Sequence, residues 1–167
     1  AIYSEGNIKI TNSTFTNNGY DGSACREVSI KGGIMYTSGS LEITNSVFTA
    51  NYYYLKIIDE DIFGETKIYD VLYQGGVIYS GKELVLKDNT FSSNNIQVDA
   101  TTSGLHMYKI HVYGGIIYSH SDVTIKGNSL FDQNSTFFRT KLNSSSAHGG
   151  VIYAKGDFLI RDESLFT

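Results

Sequence analysis

One short motif, repeated along the chain, restricts the fold more than any other feature. Gly32-Gly33-Ile34-Met35-Tyr36 recurs as Gly75-Gly76-Val77-Ile78-Tyr79, as Gly114-Gly115-Ile116-Ile117-Tyr118 and as Gly149-Gly150-Val151-Ile152-Tyr153. Ala1-Ile2-Tyr3 reads as the tail of a fifth copy. The copies are unequally spaced while the motif itself is constant. Fixed cores separated by inserts of varying length are what a solenoid with loops on one corner produces.

The same phase relation extends beyond each Tyr. Apolar pairs spaced by two follow it: Ile8 and Ile10, Leu41 and Ile43, Leu84 and Leu86, Val123 and Ile125, Phe158 and Ile160. That spacing puts both members on one face of a strand. A turn residue comes next (Asn12, Asn45, Asp88, Gly127, Asp162), of types that accept a left-handed backbone. Then follows a Phe, at Phe15, Phe48, Phe91, Phe131 and Phe166, and three residues later an Asn at Asn18, Asn51, Asn94 and Asn134. A further strand is predicted before each glycine pair, with Val28 and Ile30, Val71 and Tyr73, and Ile110 and Val112 on one face; Ser145 and Ala147 make it weak in the last copy.

Three short strands per repeat predict an all-β, right-handed parallel β-helix of about five coils with variable inserts at one corner. The chain reads as a single β-helix segment, residues 1–167, with repeats near 1–31, 32–74, 75–113, 114–148 and 149–167. Like positions would stack at about 4.8 Å, so the Phe column fills a corner and the Asn column forms an amide ladder. An antiparallel sandwich also has many short strands, but it would not require one residue type at one phase in every period.

Composition narrows the function classes. Thirteen Lys and Arg against 17 Asp and Glu give a net charge of −4, which argues against a nucleic-acid binder. No apolar run approaches the ~20 residues of a membrane helix, so no membrane insertion by this segment is expected. Cys25 is alone, which excludes an internal disulfide and a Cys-based zinc site. No cofactor motif is present: the glycine pairs lack the Lys-Ser or Lys-Thr of a phosphate loop. The first and last repeats are partial, so further β-helix coils or partner chains are expected at both ends.

The glycine pair with its apolar-Tyr tail, followed about a dozen residues later by Phe-x-x-Asn, resembles the repeats of chlamydial polymorphic membrane proteins. The matching residues are Gly32-Gly33 with Phe48 and Asn51, Gly75-Gly76 with Phe91 and Asn94, and Gly114-Gly115 with Phe131 and Asn134. Gly149-Gly150 reaches only Phe166. The small residue expected after the glycines is kept only at Ala1. Similar repeats occur in large surface proteins of protists. The resemblance implies a passenger segment displayed at a cell surface, in contact with host cells.

Three groups of residues are candidates for chemistry. Glu83, Asp122 and Asp157 share one phase, with Asn7 and Ser40, at the corner after the tyrosine strand. Stacked carboxylates there could share a proton or bind calcium, as metal or catalytic candidates, or form an ordinary solvated turn. Asp59, Glu60 and Asp61 form a second acidic group, without the alternate spacing of a calcium loop. Tyr36, Tyr79, Tyr118 and Tyr153, with Tyr3, form a column that strand alternation sends outward together with Ala1, Ile34, Val77, Ile116 and Val151. Such a strip needs either a cover from the inserts or a partner, protein or glycan. His106, His111 and His148 show no metal spacing. The sequons at Asn12, Asn134 and Asn143 are glycosylation acceptors in a eukaryotic secretory pathway.

The expected function is a non-enzymatic structural or adhesive β-helix of a cell-surface or extracellular protein, presenting loops and an aromatic face. The alternatives are a polysaccharide lyase or hydrolase using the outer carboxylates, and a structural segment of a large intracellular or ciliary assembly.

Overall fold

The structure, a computed structural model, describes residues 1–24, 27–58, 64–101, 107–140 and 145–167. Cys25, the Asp59–Asp61 acids, His106 and Asn143 lie outside the described residues. The first coil carries β1 (Ile2–Ser4), β2 (Ile8–Thr11), β3 (Thr14–Thr16), β4 (Gly19–Ala24) and β5 (Val28–Lys31). The second carries β6 (Met35–Thr37), β7 (Leu41–Thr44), β8 (Val47–Thr49), β9 (Tyr52–Ile57) and β10 (Ile68–Gln74). The third carries β11 (Ile78–Ser80), β12 (Leu84–Lys87), β13 (Thr90–Ser92), β14 (Asn95–Ala100) and β15 (Met107–Tyr113). The fourth carries β16 (Ile117–Ser119), β17 (Val123–Lys126), β18 (Leu130–Asp132), β19 (Ser135–Thr140) and β20 (Ser146–His148). A partial fifth adds β21 (Ile152–Ala154), β22 (Phe158–Ile160) and β23 (Leu165–Phe166).

Among the described residues each strand pairs in parallel with its counterpart one coil away, which makes five sheets along the axis of a parallel solenoid. The register is the repeat register: Tyr36 pairs with Tyr79, Leu84 with Val123, and Phe91 with Phe131. The architecture is the one the repeats predict, with four complete coils and the start of a fifth. Five strands per coil replace the expected three. The Phe segment forms a strand of its own, and β4, β9, β14 and β19 occupy what reads in sequence as insert. Those four segments share no residue type at most positions, so only backbone pairing reveals them as equivalents. The variable connections all lie between the fourth and fifth strands of a coil, at one corner.

Backbone conformation at the corners follows residue type. Asn12, Asn45, Asp88, Gly127 and Asp162 all have φ between +48° and +67°. The first glycine of each pair, Gly75 for example with φ +62°, is left-handed as well. A second left-handed corner falls on Asn17, Ala50, Ser93 and Gln133, one residue before each ladder Asn. Three of these are not residues that favour such a backbone, and the stacked coils on either side hold them there.

The core is a single apolar column system containing Met35, Ile78, Ile117, the aliphatic pairs and the Phe stack. Ile34, Val77 and Ile116 belong to it too, which corrects the expectation that they face outward with the tyrosines. The strands begin only at Met35, Ile78 and Ile117, so alternation does not reach back to these residues. The glycine corner turns them inward instead.

Tyr73 is a fully buried core residue whose hydroxyl has no hydrogen-bond partner among the described residues. Its ring meets Tyr53 edge-on at 5.2 Å, and burial raises its pKa far above the ordinary phenol value. An unpaired buried hydroxyl costs about 1–3 kcal/mol. Tyr73→Phe therefore raises stability by about 1 kcal/mol in urea denaturation, since the ring contacts survive and only the orphaned group is lost.

Candidate functional site

The residues that repeat most faithfully form ladders inside the coil stack. Asn51 Oδ1 accepts from the backbone N–H of Asn18 and from its Nδ2, each at 3.1 Å. Asn94 Oδ1 does the same for Asn51, and Asn134 Oδ1 for Asn94. Each Nδ2 also donates to a Phe carbonyl of the preceding coil: Asn51 to Phe15, Asn94 to Phe48, Asn134 to Phe91. Both functions of a buried amide are thus satisfied by repetition alone. The adjoining rings of Phe15, Phe48, Phe91, Phe131 and Phe166 stack at 4.5–5.0 Å.

A second polar ladder was not anticipated. Ser46 Oγ accepts from Ser13 N, Asn89 Oδ1 from Ser46 N, and Ser129 Oγ from Asn89 N. Its signal is present in the sequence: a small polar residue stands two before every Phe, at Ser13, Ser46, Asn89, Ser129 and Ser164.

The tyrosine column is stacked but largely enclosed. Ring centroids of Tyr3, Tyr36, Tyr79, Tyr118 and Tyr153 follow at 5.0–5.5 Å, with planes within 13° of parallel. Tyr79 is 6% exposed and Tyr118 1%, so of the two readings of the column, cover or partner, these two rings have the cover. The covering comes from neighbouring strands: the left-handed glycine makes a re-entrant corner. There the outward residues of the fifth strand meet the tyrosines. Lys31 Nζ sits 5.4 Å from the Tyr79 ring centre, and Tyr113 meets Tyr153 edge-on. Burial, with Tyr79 beside it, pushes the Tyr118 hydroxyl up to about 12. Tyr36 and Tyr153 remain half-buried. Tyr36, Tyr79 and Tyr118 each have a ring stacked on both faces, so those faces are unavailable as a sugar-stacking platform.

The acidic corner column is exposed, and its groups serve the backbone. Asp122 Oδ1 accepts from Asp157 N at 2.8 Å, as Asn7 Oδ1 accepts from Ser40 N at 2.9 Å. Glu83 lines a shallow groove with Asn7, Lys9, Ser40 and Glu42. Among the described residues no three His, Cys, Asp or Glu side chains assemble into a group able to hold a metal. Glu83, Asp122 and Asp157 thus do not form such a metal-holding group.

The sequence profile of the haemagglutinin repeat matches residues 1–51, 69–104 and 102–162, which is most of the chain. The chain belongs to the haemagglutinin-repeat family. This family supplies β-helix repeats of the adhesin type, typically secreted or surface-exposed and non-enzymatic. No curated protein and no solved structure matches the chain.

Outside the ladders, this haemagglutinin-repeat solenoid carries side chains that hold no coil together. On the fourth sheet Tyr52 is 43% exposed and Phe137 51%. Tyr54 shares their face, since it pairs in register with Gln97 and through it with Phe137. Beside them Arg139 pairs with Asp99. Burial alone would raise the Asp99 carboxyl, but hydrogen bonds from Arg139 and Thr101 hold it below its ordinary value. Two of the sequons are described. Asn12 is exposed at a turn, with its Oδ1 accepting from Asn45 Nδ2. Asn134, half-buried, donates from its Nδ2 to the Phe91 carbonyl at 2.7 Å.

Proposed function

We propose that this segment is a structural and adhesive β-solenoid of a cell-surface or extracellular protein, and that it presents its outer faces to protein or glycan partners on another surface. The observation that carries this reading is the haemagglutinin-repeat match along a stack whose ladders run without interruption through the coils. Such a stack commits its repeating side chains to rigidity and leaves non-repeating ones for contact. The aromatic face of the reading moves from the tyrosine column to Tyr52, Tyr54 and Phe137, because aromatic side chains held partly in solvent suit an interface core. The variable corner between the fourth and fifth strands supplies the loops. The polymorphic-membrane-protein repeat is the finer form of this reading, supported by the glycine-pair and Phe-x-x-Asn residues.

The purified chain is expected to bind cultured host cells above an unrelated β-protein of similar charge. Tyr52→Ala combined with Phe137→Ala should abolish that binding and leave the circular dichroism spectrum unchanged. Binding no greater than the control protein, or equal binding by the double variant, refutes the proposed contact face.

A further inference from the structure

Asp70, His111 and Ser146 lie on three consecutive strands of the fifth sheet, β10, β15 and β20. All three point to the outer face, since Val71, Tyr73, Ile110 and Val112 take the inner one. His111 pairs in register with Ser146. Ser146 Oγ is 3.0 Å from His111 Nδ1, and Asp70 Oδ1 is 3.9 Å from His111 Nε2. The neighbouring serine behaves differently: Ser145 Oγ accepts the backbone N–H of Ile110 at 2.9 Å and belongs to the stack. Ser146 and His111 thus form a hydroxyl–imidazole pair set on rigid strands, where positions are held more tightly than on loops.

Asp70 is beyond hydrogen-bond range of Nε2 but lies on the ring's far side from Ser146. With the proton on Nε2, the Nδ1 lone pair faces the Ser146 hydroxyl, the orientation a general base needs. The imidazole is about a third exposed, so a small ester in solution can reach the pair.

We propose that Ser146 is a nucleophile activated by His111, with Asp70 as a positioning residue, and that it takes an acyl group from an activated ester or thioester. Ser146 Oγ attacks the carbonyl carbon while its proton passes to His111 Nδ1. The bond to the leaving oxygen or sulfur breaks, and the leaving group takes that proton from His111. The products are a Ser146 ester and a free alcohol or thiol, with no change of oxidation state. This would give a segment otherwise read as non-enzymatic a covalent attachment point for acyl-bearing molecules, independent of the contact face proposed above.

The probe is p-nitrophenyl acetate, added to the whole chain, with nitrophenolate release followed and the acetylated residues mapped by mass spectrometry. Acetyl is expected on Ser146 ahead of the exposed Ser29 on the same sheet. His111→Gln should slow Ser146 acetylation about 100-fold, the lower range of general-base effects. Ser146→Ala should remove the adduct and its share of nitrophenolate, and Asp70→Asn should slow the reaction without shifting Tm. Acetylation of Ser146 no faster than of Ser29, or an unchanged rate in His111→Gln, overturns the proposal. Far-ultraviolet circular dichroism of each variant shows whether the fold is kept, so an unfolded variant is recognised. His111→Asn then replaces it.

Discussion

Gly75→Ala is expected to prevent this chain from folding, or to cost it more than about 4 kcal/mol. Two penalties coincide at this residue. Its φ of +62° costs an L-residue about 1–2 kcal/mol. An added Cβ would also stand 1.8 Å from the Ile78 carbonyl oxygen and 2.8 Å from Tyr118 N. Both neighbours are backbone, one of them in the next coil, so no side-chain rotation relieves the overlap. Gly76→Ala meets the adjacent coil directly, 2.6 Å from the Gly115 carbonyl oxygen. Gly150→Ala is the matched control: the same motif position, but with open space around the added carbon. It should fall within about 0.5 kcal/mol of the parent. Urea denaturation followed by far-ultraviolet circular dichroism checks all three. A Gly75→Ala protein with parental stability would mean that the corner is not built as described.

Asn94→Ala has the second largest expected effect. The substitution removes acceptors for Asn51 N and Nδ2 and donors to the Phe48 carbonyl and Asn134 Oδ1. Asn94 is fully buried, and each buried group left unpaired costs about 1–3 kcal/mol, so a loss of about 4 kcal/mol follows. That is a large part of the 5–15 kcal/mol typical of a domain. Asn94→Asp should do no better, because a carboxylate keeps the acceptors while losing the donors and burying a charge. Asn134→Ala should cost less, since Asn134 is only half-buried and water can replace part of what it loses. The order of the midpoints, Asn94→Ala below Asn134→Ala, is the decisive reading.

The corners and the ladders were legible in the sequence because stacking imposes one residue type at one phase. Asn12, Asn45 and Asp88 announce a left-handed turn by type, and Gly75-Gly76 announces a corner where side chains cannot fit. The Ser13, Ser46, Asn89, Ser129 ladder left an equally regular trace, but its alternation of Ser with Asn hides the shared role of accepting a backbone N–H. The fourth sheet left almost none. Gly22, Leu55, Val98 and Phe138 stack in one column with no residue in common, since at that position the interior asks only for bulk that fits.

The acidic column shows how far a shared phase reaches. Glu83, Asp122 and Asp157 share a phase, yet shared phase sets Cα spacing and not where carboxylates point. Asp122 accepts from the Asp157 amide of the next coil, while Glu83 lines a groove with Asn7 and Lys9. Asp70, His111 and Ser146 share neither motif nor spacing, and no pattern search along the chain brings them together.

By itself the sequence determined the solenoid, its axial register and the Phe, Asn and paired aliphatic columns, because those are set by local repetition. The tertiary structure decided which tyrosines are enclosed, how many strands make a coil and which outer side chains meet across coils. These depend on the angle at each corner, a property of how successive strands turn in space, and side-chain order along the chain does not encode it.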